Sequence, residues 1–161
     1  MKNKNTGWHD RLFKNQYLAV FLRILVGLIF LFSGFTKLPM HSQFVGIVES
    51  YNILPHLMAM AYALALPWVE LIIGSYLILG IQVRVSAVIS LLMAVSFMVA
   101  NVSLVIQGEA YCGGCFGDVF SPSVSQALII DIVIIVAAIY LYRVGRQILS
   151  FDNLFIRGRL T

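Results

Sequence analysis

Four stretches of this chain are apolar for close to the ~20 residues that a helix needs to cross a bilayer core. They lie at 17–36, 57–80, 84–107 and 122–142. Lipid must be the solvent for most of their surface. Of the 161 residues 60% are hydrophobic and 11% charged, against roughly 25% charged in a soluble domain. The sequence therefore predicts an all-α fold, an integral membrane four-helix bundle. The spans and their short loops use up the length, so no separate soluble catalytic domain is expected. The first apolar run, Tyr17 to Phe35, exceeds the ~7–15 residues of a signal-peptide core and lacks an A-x-A-like end. It reads as a retained span.

The ends of the spans carry turn chemistry. The first closes in Ser33-Gly34-Phe35 before Lys37 and Pro39, and the second closes at Gly80. Ser121-Pro122 predicts a cap followed by proline in the first turn of the fourth helix. Between spans one and two, Phe44, Ile47, Val48 and Tyr51 recur at helical spacing. That predicts a short interfacial helix with its apolar face down, against the alternative of an ordinary packed loop.

Charge sets the expected orientation. Lys2, Lys4, Arg11 and Lys14 make residues 1–16 a basic N-terminus, and Arg143, Arg146, Arg157 and Arg159 make 143–161 a basic tail. Loop 37–56 has only Lys37, and loop 108–121 has neither lysine nor arginine. Lysine and arginine stay on the cytoplasmic side, so both termini are expected there, in a bacterial inner membrane. The two long loops then face the periplasm. The net charge of +4 reads as an orientation signal and not as a nucleic-acid surface.

The chain has two cysteines, Cys112 and Cys115, in Tyr-Cys-Gly-Gly-Cys-Phe-Gly-Asp. Both fall on the side where disulfides persist. In a C-x-x-C pair one thiol attacks and the other resolves, and the two glycines leave the backbone room to close a small ring. Cys112 is expected to be the exposed nucleophile. The alternative is a permanent structural disulfide, although so short a loop gains little from closure. A Cys2His2 metal site with His41 and His56 is a third reading, but neither histidine has ligand spacing.

Polar groups inside spans are expensive and mark candidate sites. Arg23, Glu70, Asn101 and Asp131 are such groups. Arg23, Gly27, Gly34 and Lys37 share one helical face, as do Ala63, Pro67, Glu70 and Gly74. The expected contact is a buried Arg23–Glu70 pair between two small-residue faces. Pro67 denies a hydrogen bond to the preceding turn and predicts a kink that opens a pocket beside Trp68. Packing alone would also account for these features.

Arg23, Gly27, Ser33-Gly34, Lys37-Leu38, Tyr51, Leu54-Pro55, Leu66-Pro67-Trp68-Val69-Glu70, Gly74, Gly80 and the closing Cys-Phe-Gly together resemble the DoxX and methylamine-utilisation MauE group. The resemblance spans most of the chain, from Arg23 into the fourth span. It implies a four-helix redox-associated protein linked to thioredoxin-like partners, disulfide formation or quinone-linked oxidation. It adds Lys37 and Tyr51 to Pro67 and Trp68 as candidate interface or pocket residues. The extra glycine in Cys-Gly-Gly-Cys departs from the group's Cys-Gly-Cys. The layout is also similar to membrane disulfide oxidases of the DsbB and vitamin K epoxide reductase type, which place a C-x-x-C beside a quinone. Those commonly carry a second cysteine pair, and here a partner must meet Cys112 or Cys115 directly.

The leading expectation is thus a membrane thiol–disulfide redox protein that exchanges with a thioredoxin-like periplasmic partner, with quinone as its linked cofactor. The competing one is a non-catalytic subunit that anchors or stabilises other membrane subunits of a larger redox or translocation complex. A transporter would call for paired helix breaks in two halves, and the sequence offers none.

Overall fold

A computed structural model describes residues 16–112, 115–116 and 122–144. The basic N-terminal arm, most of the basic tail, the two glycines of the cysteine motif and Ser121 lie outside the described residues. The chain is an all-α membrane bundle. Helix α1 spans Gln16–Lys37, α2 His41–Ser50, α3 His56–Leu79, α4 Val83–Gln107 and α5 Val124–Val144, with a 3-10 turn at Leu38–Met40 leading into α2. Four of these helices are long and apolar enough to span a membrane. In hydrocarbon the backbone must satisfy its own hydrogen bonds, and a helix does so within each segment. Away from the helix termini, the side chains that stay exposed along α1, α3, α4 and α5 are apolar, as lipid requires.

The helices associate as two pairs, α1 with α3 and α4 with α5, and α2 leans on α3. The α1–α3 seam is a backbone contact. A Cβ placed on Gly74 would stand 2.8 Å from the Gly27 carbonyl oxygen, and one on Gly34 would stand 2.9 Å from the Pro67 carbonyl oxygen. Small residues permit this approach, and dispersion over the whole seam rewards it. The same contacts fix the register: Gly27 lies level with Gly74, and Gly34 with Pro67.

The turns follow local chemistry. Gly80 and Gly108 end α3 and α4 in the left-handed conformation, which costs glycine nothing. In each turn the next N–H reaches back along the helix, Ile81 to Tyr76 O and Glu109 to Leu104 O. The fourth span begins later than Ser121-Pro122 predicts. Pro122 O accepts from the Cys112 N–H, and Ser123 takes the capping position. Gln126 N–H donates to Ser123 Oγ while Ser123 N–H donates to Gln126 Oε1. This reciprocal S-x-x-Q box competes successfully with the serine–proline signal.

Helix α2 is the short helix expected between spans one and two. Its buried residues are Phe44 and Val48, and Ile47 is half-buried. Both buried side chains pack into the bundle core, so the helix covers one end of the bundle as well as lying across it. Helix α3 continues through Pro67 without a break.

Candidate functional site

Between the two helix pairs lies a cavity of about 340 Å³, near the lower end of the ~300–1,000 Å³ typical of ligand sites. Its wall is mostly apolar, from Phe30, Phe44, Leu66, Phe97, Ile130 and neighbours, and it includes Ser33, Lys37, Tyr51, Asn101, Asp131 and both cysteines. Every long helix contributes, as does α2.

Cys112 and Cys115 are joined as a disulfide. The segment holding them is pinned at both ends. Cys112 N–H donates to Pro122 O, and Tyr111 pairs with Ser123 as an isolated antiparallel bridge. Cys112 packs with Leu104, Val124 and Ala127 and is 1% exposed. Cys115 is half-buried. Cys115 is therefore the more exposed of the two cysteines, which corrects the expectation of an exposed Cys112. The bridge to Ser123 and the apolar pocket draw the first cysteine inward.

Cys115 is held on two sides. Its carbonyl accepts from Ser33 Oγ at 3.0 Å, and its sulfur lies 3.6 Å from Asn101 Oδ1. Asn101 Nδ2 donates to Asp131 Oδ2 at 2.8 Å, so the α4 and α5 polar groups form one unit. On the other wall, Lys37 Nζ donates to Ser33 Oγ at 2.9 Å and to Glu70 Oε1 at 2.6 Å. The ammonium also sits 5.3 Å from the Phe44 ring centroid and 4.9 Å from that of Phe97, near enough for cation–π attraction. Glu70 Oε2 is buried with no hydrogen-bond partner among the described residues.

The expected Arg23–Glu70 pair does not form; Lys37 takes the carboxylate. The reason is register. Gly34 against Pro67 brings Glu70 level with Ser33 and Lys37. Arg23 lies ten residues before Ser33, about 15 Å along the helix, and is buried separately on α1. The cavity does not lie beside Trp68. That side chain is 56% exposed and, like Pro67, does not line the cavity. Lys37 and Tyr51 do line it.

Tyr51 joins the cavity wall to α4. Its carbonyl accepts from Ser103 Oγ at 3.1 Å and from Gln107 Nε2 at 3.3 Å. Burial, with a smaller contribution from Tyr62, pushes its phenol up to about 12, so it stays a neutral O–H. Tyr62 and Ser96 share a hydrogen bond of 2.6 Å across the cavity between α3 and α4. Neither Ser33 nor the Tyr62–Ser96 pair was assigned a role from sequence. Ser33 has a legible signal, because it stands one helical turn before Lys37; the Tyr62–Ser96 pair has none.

No cluster of three or more histidine, cysteine, aspartate or glutamate side chains suited to a metal occurs among the described residues. The cysteines are bonded to each other, and His56 Nδ1 lies 2.8 Å from Glu49 Oε1. The side chain of His41 lies outside the described set.

No solved structure matches the chain. It is 29% identical over 120 residues to methylamine utilization protein MauE of Paracoccus denitrificans, covering 72% of this chain and 63% of that protein. The chain thus spans less than two thirds of the length of the curated relative it matches. The family model for methylamine utilisation protein MauE matches residues 15–143, from the start of α1 to the end of α5. The DoxX and MauE resemblance thereby narrows to one of its two names, and the chain belongs to the MauE family.

Proposed function

We propose that this protein is a membrane thiol–disulfide redox protein serving a methylamine-utilisation system, as the name of its Paracoccus relative implies for that protein. The observation that carries the reading is the placement of its two cysteines. They form a disulfide in the wall of an intramembrane cavity that also holds buried charges. A merely structural bond closing four residues stabilises little and has no need of such surroundings. A thioredoxin-like partner on the periplasmic side would exchange with Cys115, the more exposed of the two cysteines. Both termini would be cytoplasmic in a bacterial inner membrane, with the cysteine loop outside.

The cavity fits a quinone. Its apolar wall suits a ring, and Lys37 and Asn101 bring polar groups to it. Its rim includes Ile53, Leu54 and Val99, apolar side chains exposed on the bundle surface. Val99 lies eight residues inside the end of α4, so this rim would face the bilayer. A quinone held there would supply a two-electron acceptor beside the disulfide. Lys37 would orient a carbonyl oxygen, and the phenylalanines of the wall would exclude water.

The test is mass-tagging of thiols in intact cells, with and without prior reduction, together with Cys112→Ser. An exchanging pair gives a mixture of oxidised and reduced chains, and Cys112→Ser accumulates a mixed disulfide through Cys115. A pair that never changes state under mild dithiothreitol leaves the second reading, a non-catalytic subunit of a larger membrane complex. The backbone-tight α1–α3 seam and the buried ion pair also suit such an anchor.

A further inference from the structure

We infer that Asn101 and Asp131 make Cys115 the proton-bearing thiol of the reduced pair: Asn101 Oδ1 accepts from its S–H, and Asp131 fixes the amide in that orientation. The inference rests on the redox reading for its use but not for its test.

The geometry is a relay of fixed polarity. A carboxylate can only accept, so Asp131 Oδ2 takes the Nδ2 end of Asn101 at 2.8 Å. That leaves the acceptor end facing Cys115 Sγ at 3.6 Å, within reach of a thiol hydrogen. A thiolate at the same place would meet an oxygen lone pair with a carboxylate behind it. The surrounding charges point the same way. From α1 and α3 come Lys37 and Glu70, which cancel each other as an ion pair. From α4 comes the uncharged Asn101, and from the end of α2 the neutral Tyr51. From α5 comes Asp131, the unbalanced charge.

This gives the cysteines separate parts. When a partner dithiol reduces the pair, the Cys112–Cys115 bond breaks as the partner's two sulfurs join. Two electrons pass to this chain. One of the two released protons is held on Cys115 Sγ, and the other rests on Cys112 or leaves to solvent. Cys115 then keeps its proton until a two-electron acceptor, the quinone of the proposed function, takes the electrons and the disulfide recloses. Asn101 touches a reacting atom, and Asp131 is a positioning residue.

The experiment measures the pH dependence of iodoacetamide alkylation on the purified full-length chain, with no partner present. Cys112→Ser isolates Cys115, and Cys115→Ser isolates Cys112. The midpoint is read rather than the amplitude, because burial alone slows alkylation equally at every pH. Cys115 is expected to titrate above the ordinary thiol value of ~8.5. Adding Asp131→Asn to Cys112→Ser releases the amide to turn its Nδ2 toward sulfur. The Cys115 midpoint should then fall by about one unit, raising alkylation near neutral pH about tenfold. A Cys115 midpoint at or below the ordinary value overturns the inference, as does an unchanged midpoint in the Asp131→Asn variant. If that variant does not fold, the Cys115 midpoint against the ordinary thiol value decides alone. Failure of the mixed-disulfide trap in cells would remove the exchange partner and leave these midpoints unaffected.

Discussion

Lys37 Nζ lies 2.6 Å from Glu70 Oε1, with the two side chains 2% and 0% exposed. The pair joins the last turn of α1 to the middle of α3, and Ser33 links it to the backbone of Cys115. Losing one partner strands the other charge inside the bundle. Lys37→Met or Glu70→Met alone should therefore cost about 3–5 kcal/mol, seen as lower yield and lower thermal stability in detergent. The double Met variant should recover part of the loss. Strict additivity would show that the two charges act independently.

The α1–α3 seam should resist any added side chain. Gly74→Leu has to displace the Gly27 carbonyl and the Leu31 backbone, since even a Cβ would stand 2.8–3.0 Å from them. The loss should be at least about 1–3 kcal/mol, measured as a drop in thermal stability. Gly46→Ala on α2, where a Cβ would meet nothing within 4 Å, should be tolerated. Equal sensitivity at the two positions would contradict the seam.

Orientation is open to a direct check. Gly108 ends α4 at the surface, where a Cβ would meet nothing within 4 Å, so an insertion beside it should be accommodated. A reporter inserted there should read external, and one fused after Thr161 should read cytoplasmic. The reverse result would take the cysteines out of the oxidising compartment and sink the exchange mechanism.

The cavity mouth offers a change that leaves the buried charges alone. Val99 is 51% exposed and lines the rim, so Val99→Trp should fold while narrowing access from lipid. Binding of a short-tailed quinone to the purified protein, measured by equilibrium dialysis, should weaken about tenfold. Undiminished binding in this variant would place the quinone elsewhere.

The sequence by itself determined the class of fold, because its terms are local and set by the solvent. Apolar runs of spanning length admit only helices in hydrocarbon, and the spacing of Phe44, Ile47, Val48 and Tyr51 announced α2. It also marked which groups are costly to bury, since a charge in a span is conspicuous whatever it touches. Partners were another matter. Arg23 and Glu70 shared small-residue faces, yet the pairing went to Lys37. The glycine contacts slide α1 along α3 until Lys37 is level with Glu70, and no pattern within one helix encodes that offset. The same limit hid the Asn101–Asp131 unit, which needs α4 and α5 side by side, and the burial of Cys112, which depends on the bridge from Tyr111 to Ser123. Trp68, read as beside a pocket or in simple packing, is exposed on the bundle surface and outside the cavity wall. Helical periodicity fixes which residues share a face, and only packing decides which faces meet.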